Sequence, residues 1–466
     1  MSPKRSKGKC KVQPKKIPSP KEKTPSETIK KKKSNGYRNY IPKLLKKVSP
    51  SCQISEGSDV QLDKTIRILA QSLSAEARNT CFRTKKKTIS VKEVNLAIRL
   101  YFPDNLANKA IKRGKKALET VDSAPKSNIP RRREFVANLT LPVSFTEKFL
   151  REFDLCKLHA GKNAPIALTA ALECVTSEIL KLAAVVAQNN KHVTVSPRHI
   201  FLAISGDKDI KTLMESFNIQ FMGVGVVPYI HPEFMTKKRI SSRKRKSRGN
   251  SKAVKSSTHK FLPGTVALRD IRKLQKSNKT CLQGAPFERV VRKLVTDIEG
   301  EETTVQFSAG SLKTIQVFVE QQVINLFRVA IQLTVHAKRE GIQQKDVELA
   351  WDLSNNPRVP KTDNIPQVIS EGIKENGIER LGKRAGIKRK GFGFYPATQR
   401  YIYSLICVLL TKTLKIMHNR DAITVKLSDL EAAIRALGIH FTIYVKTETK
   451  KINNRSQTKE TSVPDE

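Results

Sequence analysis

The stretch "AITVKLSDLEAAIRAL", residues 422–437, changes character partway through. It begins with the β-branched residues Ile423, Thr424 and Val425, which suit a short extended segment. It passes through a polar helix start and ends in an apolar helix face around Ala433. The same pattern occurs three times earlier, as "KTISVKEVNLAIRL" (87–100), "HVTVSPRHIFLAIS" (192–205) and "EGIQQKDVELAWDL" (340–353). Each junction follows a long helical stretch whose apolar residues alternate three and four apart. The first stripe is Leu62, Ile66, Leu69, Leu73 and Ala77. The second is Leu168, Leu172, Val175, Ile179, Leu182 and Val186. The third is Leu312, Ile315, Val319, Val323, Leu326, Ala330 and Leu333, and the fourth is Tyr403, Ile406, Leu410, Leu414 and Met417. This is an internal repeat of a helix–strap–helix unit, with a period too irregular for a solenoid. One such unit cannot bury a stripe that runs the length of a long helix. Four in one chain supply crossing partners two by two, which predicts an all-α fold.

Composition sets the class of partner. The chain has 466 residues, enough for roughly three domains at about 150 residues each. A hydrophobic content of 38% can build real cores. The net charge of +46 and a pI near 10.1 imply a polyanionic partner, most simply nucleic acid. The seven cysteines are scattered with no CxxC pair, which suggests a reducing compartment and argues against zinc. No run of eighteen apolar residues is present, and the N-terminus lacks the apolar stretch of a secretory signal, so neither a membrane span nor secretion is expected. Residues 1–36 read as a disordered basic tail. So does the segment 237–258, and the end of the chain after Val445 is polar.

The four blocks resemble the histone fold, and more specifically the four core histones in the order of types 2B, 2A, 3 and 4. Block one is similar to type 2B in "YIPKLLKKVSP" and "KKKTISVKEVNLAIRLYFPDNLANKAIKRGKKAL". Block two resembles type 2A in "LPVSF", "APIALTAALECVTSEILKLA", "VSPRHIFLAI" and "GVGVVPYI". Block three resembles type 3 in "LPGTVALRDIRKLQKS", "PFERVVRKL" and "HAKREGIQQKDVELA". Block four resembles type 4 in "DNIPQVI", "IERLGKRAGIKRKGFGFY" and "ITVKLSDLEAAIRALG". The resemblance covers roughly residues 37–445. It implies folded units at 37–119, 135–231, 259–353 and 354–445. The rest would be a tail (1–36), a linker (120–134), a basic linker (232–258) and a C-terminal tail (446–466). Fused core histones are associated with large DNA viruses of eukaryotes, so the fusion implies a viral origin.

The resemblance also implies how the residues work. Two handshake heterodimers, first unit with second and third with fourth, would place straps, helix N-termini and cations on a ramp facing DNA phosphates. The implied DNA contacts are Lys85, Lys86 and Lys87, then Arg151, Lys191 and His192. They continue with Arg269, Arg272, Lys276, Arg289, Arg292, Lys338 and Lys345, and end with Arg380, Lys383, Arg384, Lys388 and Arg389, the last matching a minor-groove arginine. One chain supplies half an octamer. His336, Arg339 and Asp346 match the family residues that join two such halves, with His336 of one chain against Asp346 of the other. Glu173, Glu178, Asp207 and Asp209 match the family's acidic patch, while Lys181, Lys208, Asn105 and Arg113 stand where the family is acidic. Leu262, Gln306, Thr194 and Phe145 stand where it has arginines, which implies looser DNA ends.

The implied function is a structural chromatin protein wrapping double-stranded viral DNA in the host nucleus or viral factory and in the virion. The basic runs at 30–33 and 243–246 fit nuclear import and DNA neutralisation equally well. No enzyme, metal or cofactor is expected. "GFGFYP" and "GVGVVP" lack a P-loop lysine, and His199 and His418 have no nucleophile nearby in sequence. A histone-fold regulatory factor is the alternative, against which the uniform charge and all four types argue. A non-specific basic DNA coat is another. An RNA-binding protein would need aromatics among its basic runs, and these are few.

Overall fold

The computed structural model describes residues 36–124, 132–151, 158–235, 264–300, 305–308, 310–354, 359–362 and 365–443. The basic segment 237–258, Leu262 and almost all of both tails lie outside the described residues.

The first unit runs α1 (Ile41–Val48), β1 (Gln53–Ile54), α2 (Ser58–Arg83), β2 (Thr88–Ile89), α3 (Val91–Tyr101) and α4 (Asp104–Asp122). The second has α5 (Arg133–Val136), α6 (Val143–Arg151), β3 (His159–Ala160), α7 (Ala164–Asn189), β4 (Thr194–Val195), α8 (Pro197–Gly206), α9 (Lys208–Ser216) and β5 (Ile219–Met222). The third has α10 (Thr265–Lys276), α11 (Gly284–Glu299), β6 (Gln306–Phe307), α12 (Ser311–His336), β7 (Gly341–Ile342) and α13 (Gln344–Leu353). The fourth has α14 (Gln367–Gly372), α15 (Glu375–Ala385), β8 (Arg389–Lys390), α16 (Phe394–His418), β9 (Thr424–Val425), α17 (Leu427–Ala436) and β10 (His440–Ile443).

The long helices α2, α7, α12 and α16 bury most of the predicted stripes, with Leu182, Val186 and Leu333 half-buried. In the fourth, Ile406, Leu410, Leu414 and Met417 are fully buried, but Tyr403 sits at the edge and Ile402, Leu405 and Leu409 take the centre. Each buried large aliphatic contributes roughly 1.5–3 kcal/mol, so a stripe stabilises its helix only when a partner covers it. The straps show who covers whom. β1 pairs in parallel with β4 and β2 with β3, joining units one and two at both ends of the crossed helices. β6 pairs with β9 and β7 with β8, joining units three and four the same way. These are two handshake pairs in an all-α fold.

The two pairs also meet. β5 and β10 align in parallel from Ile219↔His440 to Met222↔Ile443, bridging the second and fourth units. Lys64 on α2 reaches Glu431 on α17 at 2.5 Å. Met222, Val226, Ile230 and Phe234 of the second unit belong to the core of the third and fourth. Nothing in the sequence pattern announced this exchange.

Three units close the turn from strap to short helix with a cation–carboxylate pair. Lys86 meets Glu93 at 2.7 Å, Arg339 meets Asp346 at 2.5 Å and Arg420 meets Asp429 at 2.7 Å. Each carboxylate also accepts the backbone N–H of Ser90, Gln343 or Lys426. Burial pushes the Glu93 carboxyl up, but Lys86 and Ser90 outweigh it and hold the group down at about 2. Burial acts on Asp346 in the same sense, and Arg339 with the Gln343 amide outweighs it, holding that carboxyl below its ordinary value. The second unit differs. His199 Nδ1 accepts the Ser196 N–H at 3.2 Å, and its ring stacks on His192 at 5.5 Å. Burial, then His192 and Arg198, hold the His199 pKa below its ordinary value.

Glu93, Asp346 and His199 thus all have depressed folded pKa values. Their stability is present above the unfolded pKa and lost as pH falls through the folded one. For His199 the loss begins below about 6.5, and for Glu93 below about 4.3. We therefore predict that acidification to about pH 5.5 loosens residues 192–199 first, seen as faster amide hydrogen exchange there. The 86–93 and 339–346 junctions should stay protected. Equal protection at these three junctions would refute the assignment.

Candidate nucleic-acid interface

The strap ends carry the basic surface. After the long helix in each unit the chain turns through a residue with positive φ: Lys85 (54°), Lys191 (59°), Lys338 (54°) and Asp421 (48°). Side-chain-bearing residues rarely hold that conformation, so its recurrence marks a fixed helix-to-strap turn. At β2/β3, Lys85 and Lys87 are exposed, and the Lys87 carbonyl accepts the His159 N–H. At β1/β4, Lys191 is exposed beside the Gln53-to-Val193 backbone bond. At β7/β8, Arg389 lies opposite Gly341 with its side chain 61% exposed, near exposed Lys338 and Lys345. The β6/β9 end is the exception, with Asp421 at the turn and exposed Gln306 in the strand.

Helix starts add to this. α1, α11 and α15 have no side-chain N-cap, so their first backbone N–H groups lack that intrachain acceptor. Such ends suit phosphate oxygens. Arg269, Arg272 and Lys276 on α10 are exposed, as are Arg289 and Arg292 on α11. Arg292 lies 5.8 Å over the Phe307 ring.

Several of the expected contact residues also hold bonds within the fold. Lys86 is spent on Glu93. Arg384 is a correction. It is 5% exposed, bonds the Lys279 carbonyl and lies 3.7 Å from Glu320. Glu320 in turn accepts the Cys281 and Leu282 amides at 2.9 Å. Burial pushes the Glu320 carboxyl up, against the pull of those amides and Arg384. Arg384 therefore clamps α15 to the loop before α11 and to α12, and cannot face a phosphate without unfolding that corner. Lys388 is similarly covered, its side chain 6% exposed against Glu340 at 3.4 Å. Lys383 bridges Asp270 and Glu379, both at 3.1 Å. Arg151 is tied to Glu147 at 2.6 Å but remains 60% exposed, and Arg380 is exposed beside the Asn376 carbonyl. His192 is exposed, stacked on His199.

The acidic residues divide in the same way. Glu173 is buried, accepts the Thr140 and Leu141 amides and pairs with Arg113 at 3.2 Å. Glu178 lies 3.3 Å from both Lys109 and Lys181. Asp207 caps α9 through the Ile210 N–H, and Asp209 sits in that helix's first turn.

One tie had no sequence signal beyond its basic type. Arg198 donates to the carbonyls of Val224, Val226 and Gln275, at 3.0, 3.3 and 2.9 Å. It fastens the second unit's tail to α10. Among the described residues no His/Cys/Asp/Glu group could hold a metal, and no helix is long and apolar enough to cross a membrane.

Paired handshake folds with basic strap ends define a histone-fold, DNA-binding chromatin-type protein. The core histone domain model, which covers histone types 2A, 2B, 3 and 4, matches residues 19–100, 138–206 and 263–353. That is just over half of the chain, and the chain belongs to that family. The family is in general structural and non-enzymatic.

The geometry separates two neighbouring arginines. Arg384→Ala leaves Glu320 buried without its cation, held only by amides, and should cost about 3 kcal/mol in denaturant melts. Arg380→Ala, at the surface, should change stability by under about 0.5 kcal/mol yet lower the salt slope of DNA binding by about one unit. Equal effects of the two on stability would refute the distinction.

Proposed function

We propose that two copies of this chain wrap double-stranded viral DNA into a nucleosome-like particle, without reading sequence. The observation that carries this is the tying of both handshake pairs within one chain by β5–β10 and Lys64–Glu431, with cations at three of the four strap ends. Each chain would then act as a preassembled half-particle. Core histone octamers wrap about 147 bp, roughly 290 phosphates. Two chains bring twice +46, neutralising about a third of that charge. Binding should be tight and salt-sensitive. Gln306 and Thr194 are exposed polar residues, and Phe145 packs edge-on against Tyr37, so these three positions add no cation. DNA ends held more loosely than on cellular particles follow from that.

The second copy would dock on the third unit. His336 is exposed at the end of α12, but Asp346 is buried and already holds Arg339, Thr334 and Gln343. A His336–Asp346 contact between chains would compete with these bonds. Leu349 and Leu353, 48% and 55% exposed on α13, offer the apolar contact instead. The type order, the viral setting, and location in the nucleus or viral factory and in the virion belong to this same reading.

Reconstitution on long DNA tests it. Micrococcal nuclease should leave one protected length, with two chains per particle by mass. Continuous smearing would favour a non-specific coat, and a single chain on a short site a regulatory factor. Leu349→Asp with Leu353→Asp should halve the particle mass while leaving helicity unchanged. Full-size particles from that variant would exclude this dimer face.

A further inference from the structure

A groove of about 560 Å³ opens between α1, α4 and α7. Its lining includes none of the residues assigned to DNA above. Val48 of α1, half-buried, supplies apolar surface on one side, with Leu44 buried in the core behind it. Lys109, Lys112, Arg113 and Lys116 line it from α4 at spacings of three and four, one face of that helix. Lys47 and Lys181 stand on α1 and α7.

Two carboxylates lie in this groove, and both are already engaged. Glu173 is 4% exposed at its side chain and holds two backbone amides and Arg113. Glu178 is shared by Lys109 and Lys181. Lys47, Lys112 and Lys116 are exposed and have no ion pair among the described residues. The groove therefore presents a surplus of cations beside apolar surface, with no negative charge left to offer.

We propose that this groove is a docking site for an acidic peptide segment of a partner protein, its carboxylates on the α4 lysines and an apolar side chain against Val48. Charge complementarity selects an anion, and shape selects between anions. A concavity of this volume takes a few side chains. A duplex is too broad to enter it and would meet only the rim. Rim ammonium groups give affinity that salt weakens, while the apolar contact gives a part that salt does not remove.

The test uses the full chain saturated with duplex DNA, so that the strap cations are occupied. The probe is a fluorescein-labelled dodecapeptide alternating glutamate and leucine, read by anisotropy. Lys109→Glu with Lys112→Glu and Lys116→Glu should weaken binding tenfold or more. A control with the same charge change elsewhere, Lys208→Glu with Lys211→Glu and Lys415→Glu, should weaken it less than twofold. Nuclease protection in the same samples reports wrapping separately, so a failure to wrap is distinguishable from a failure to dock. The milder Lys→Gln triple variant, expected to lose threefold or more, replaces the reversal if its melting temperature has fallen. Equal losses in groove and control variants would overturn the proposal. So would displacement of the peptide by excess duplex at the same groove-dependent affinity, which would make the groove a DNA site.

Discussion

A helix of 26 residues with a buried stripe along its length must be crossed by another helix, and that constraint organises this molecule. Crossing alone leaves the helix ends free to splay. The parallel strap pairs remove that freedom, because each long helix is pinned at both ends to its partner through two-residue ladders. A two-residue ladder is weak alone. It holds because β-branched or aliphatic residues such as Ile89, Val195, Ile342 and Val425 are buried beneath it. Pinning fixes where the chain turns, and the turn residues Lys85, Lys191 and Lys338 project from a rigid frame.

Covalent fusion adds less new contact than new effective concentration. Partners linked by short segments meet far more often than separate chains in dilute solution. The order of units matters, since first with second and third with fourth puts each handshake between sequence neighbours. The remaining interface, between the pairs, is then made by elements far apart in the chain: β5 with β10, and Lys64 with Glu431. Arg198 and Gln275 close the same seam, since Gln275 donates to the Tyr229 and Arg384 carbonyls while its own carbonyl accepts from Arg198. At this part of the seam backbone carbonyls are satisfied by long polar side chains, which explains why Gln275 is buried.

The long helices and straps were legible because their apolar periods are local. Leu172 or Val323 reads as core from its neighbours three and four residues away. What the cations do was less legible. Arg380 and Arg384 sit four residues apart on one helix, with the same side chain, yet one is exposed and the other buried against Glu320. That difference is made by the loop before α11 and by α12, from a distant part of the chain. Glu173 misled in the same way, since its role depends on amides at Thr140 and Leu141. The β5–β10 pairing was illegible for a related reason: two four-residue strands in different units carry no mark of each other.

The distribution of spent and unspent charge follows from this. Of the basic residues on α15 and its strap, Arg384, Lys388, Lys383 and Lys390 are held by carbonyls and carboxylates, Arg389 shares Glu340 but stays 61% exposed, and Arg380 faces outward. Around the groove between α1, α4 and α7 the opposite holds, because two carboxylates face six cations. Net charge alone treats both regions as equally basic. Pairing separates them: a cation already matched inside the fold contributes to stability, and one left unmatched at the surface recruits an anion from outside. On that criterion, among the described residues, both the strap ends and the α1–α4–α7 groove still seek negative charge, and their different shapes ask for different partners.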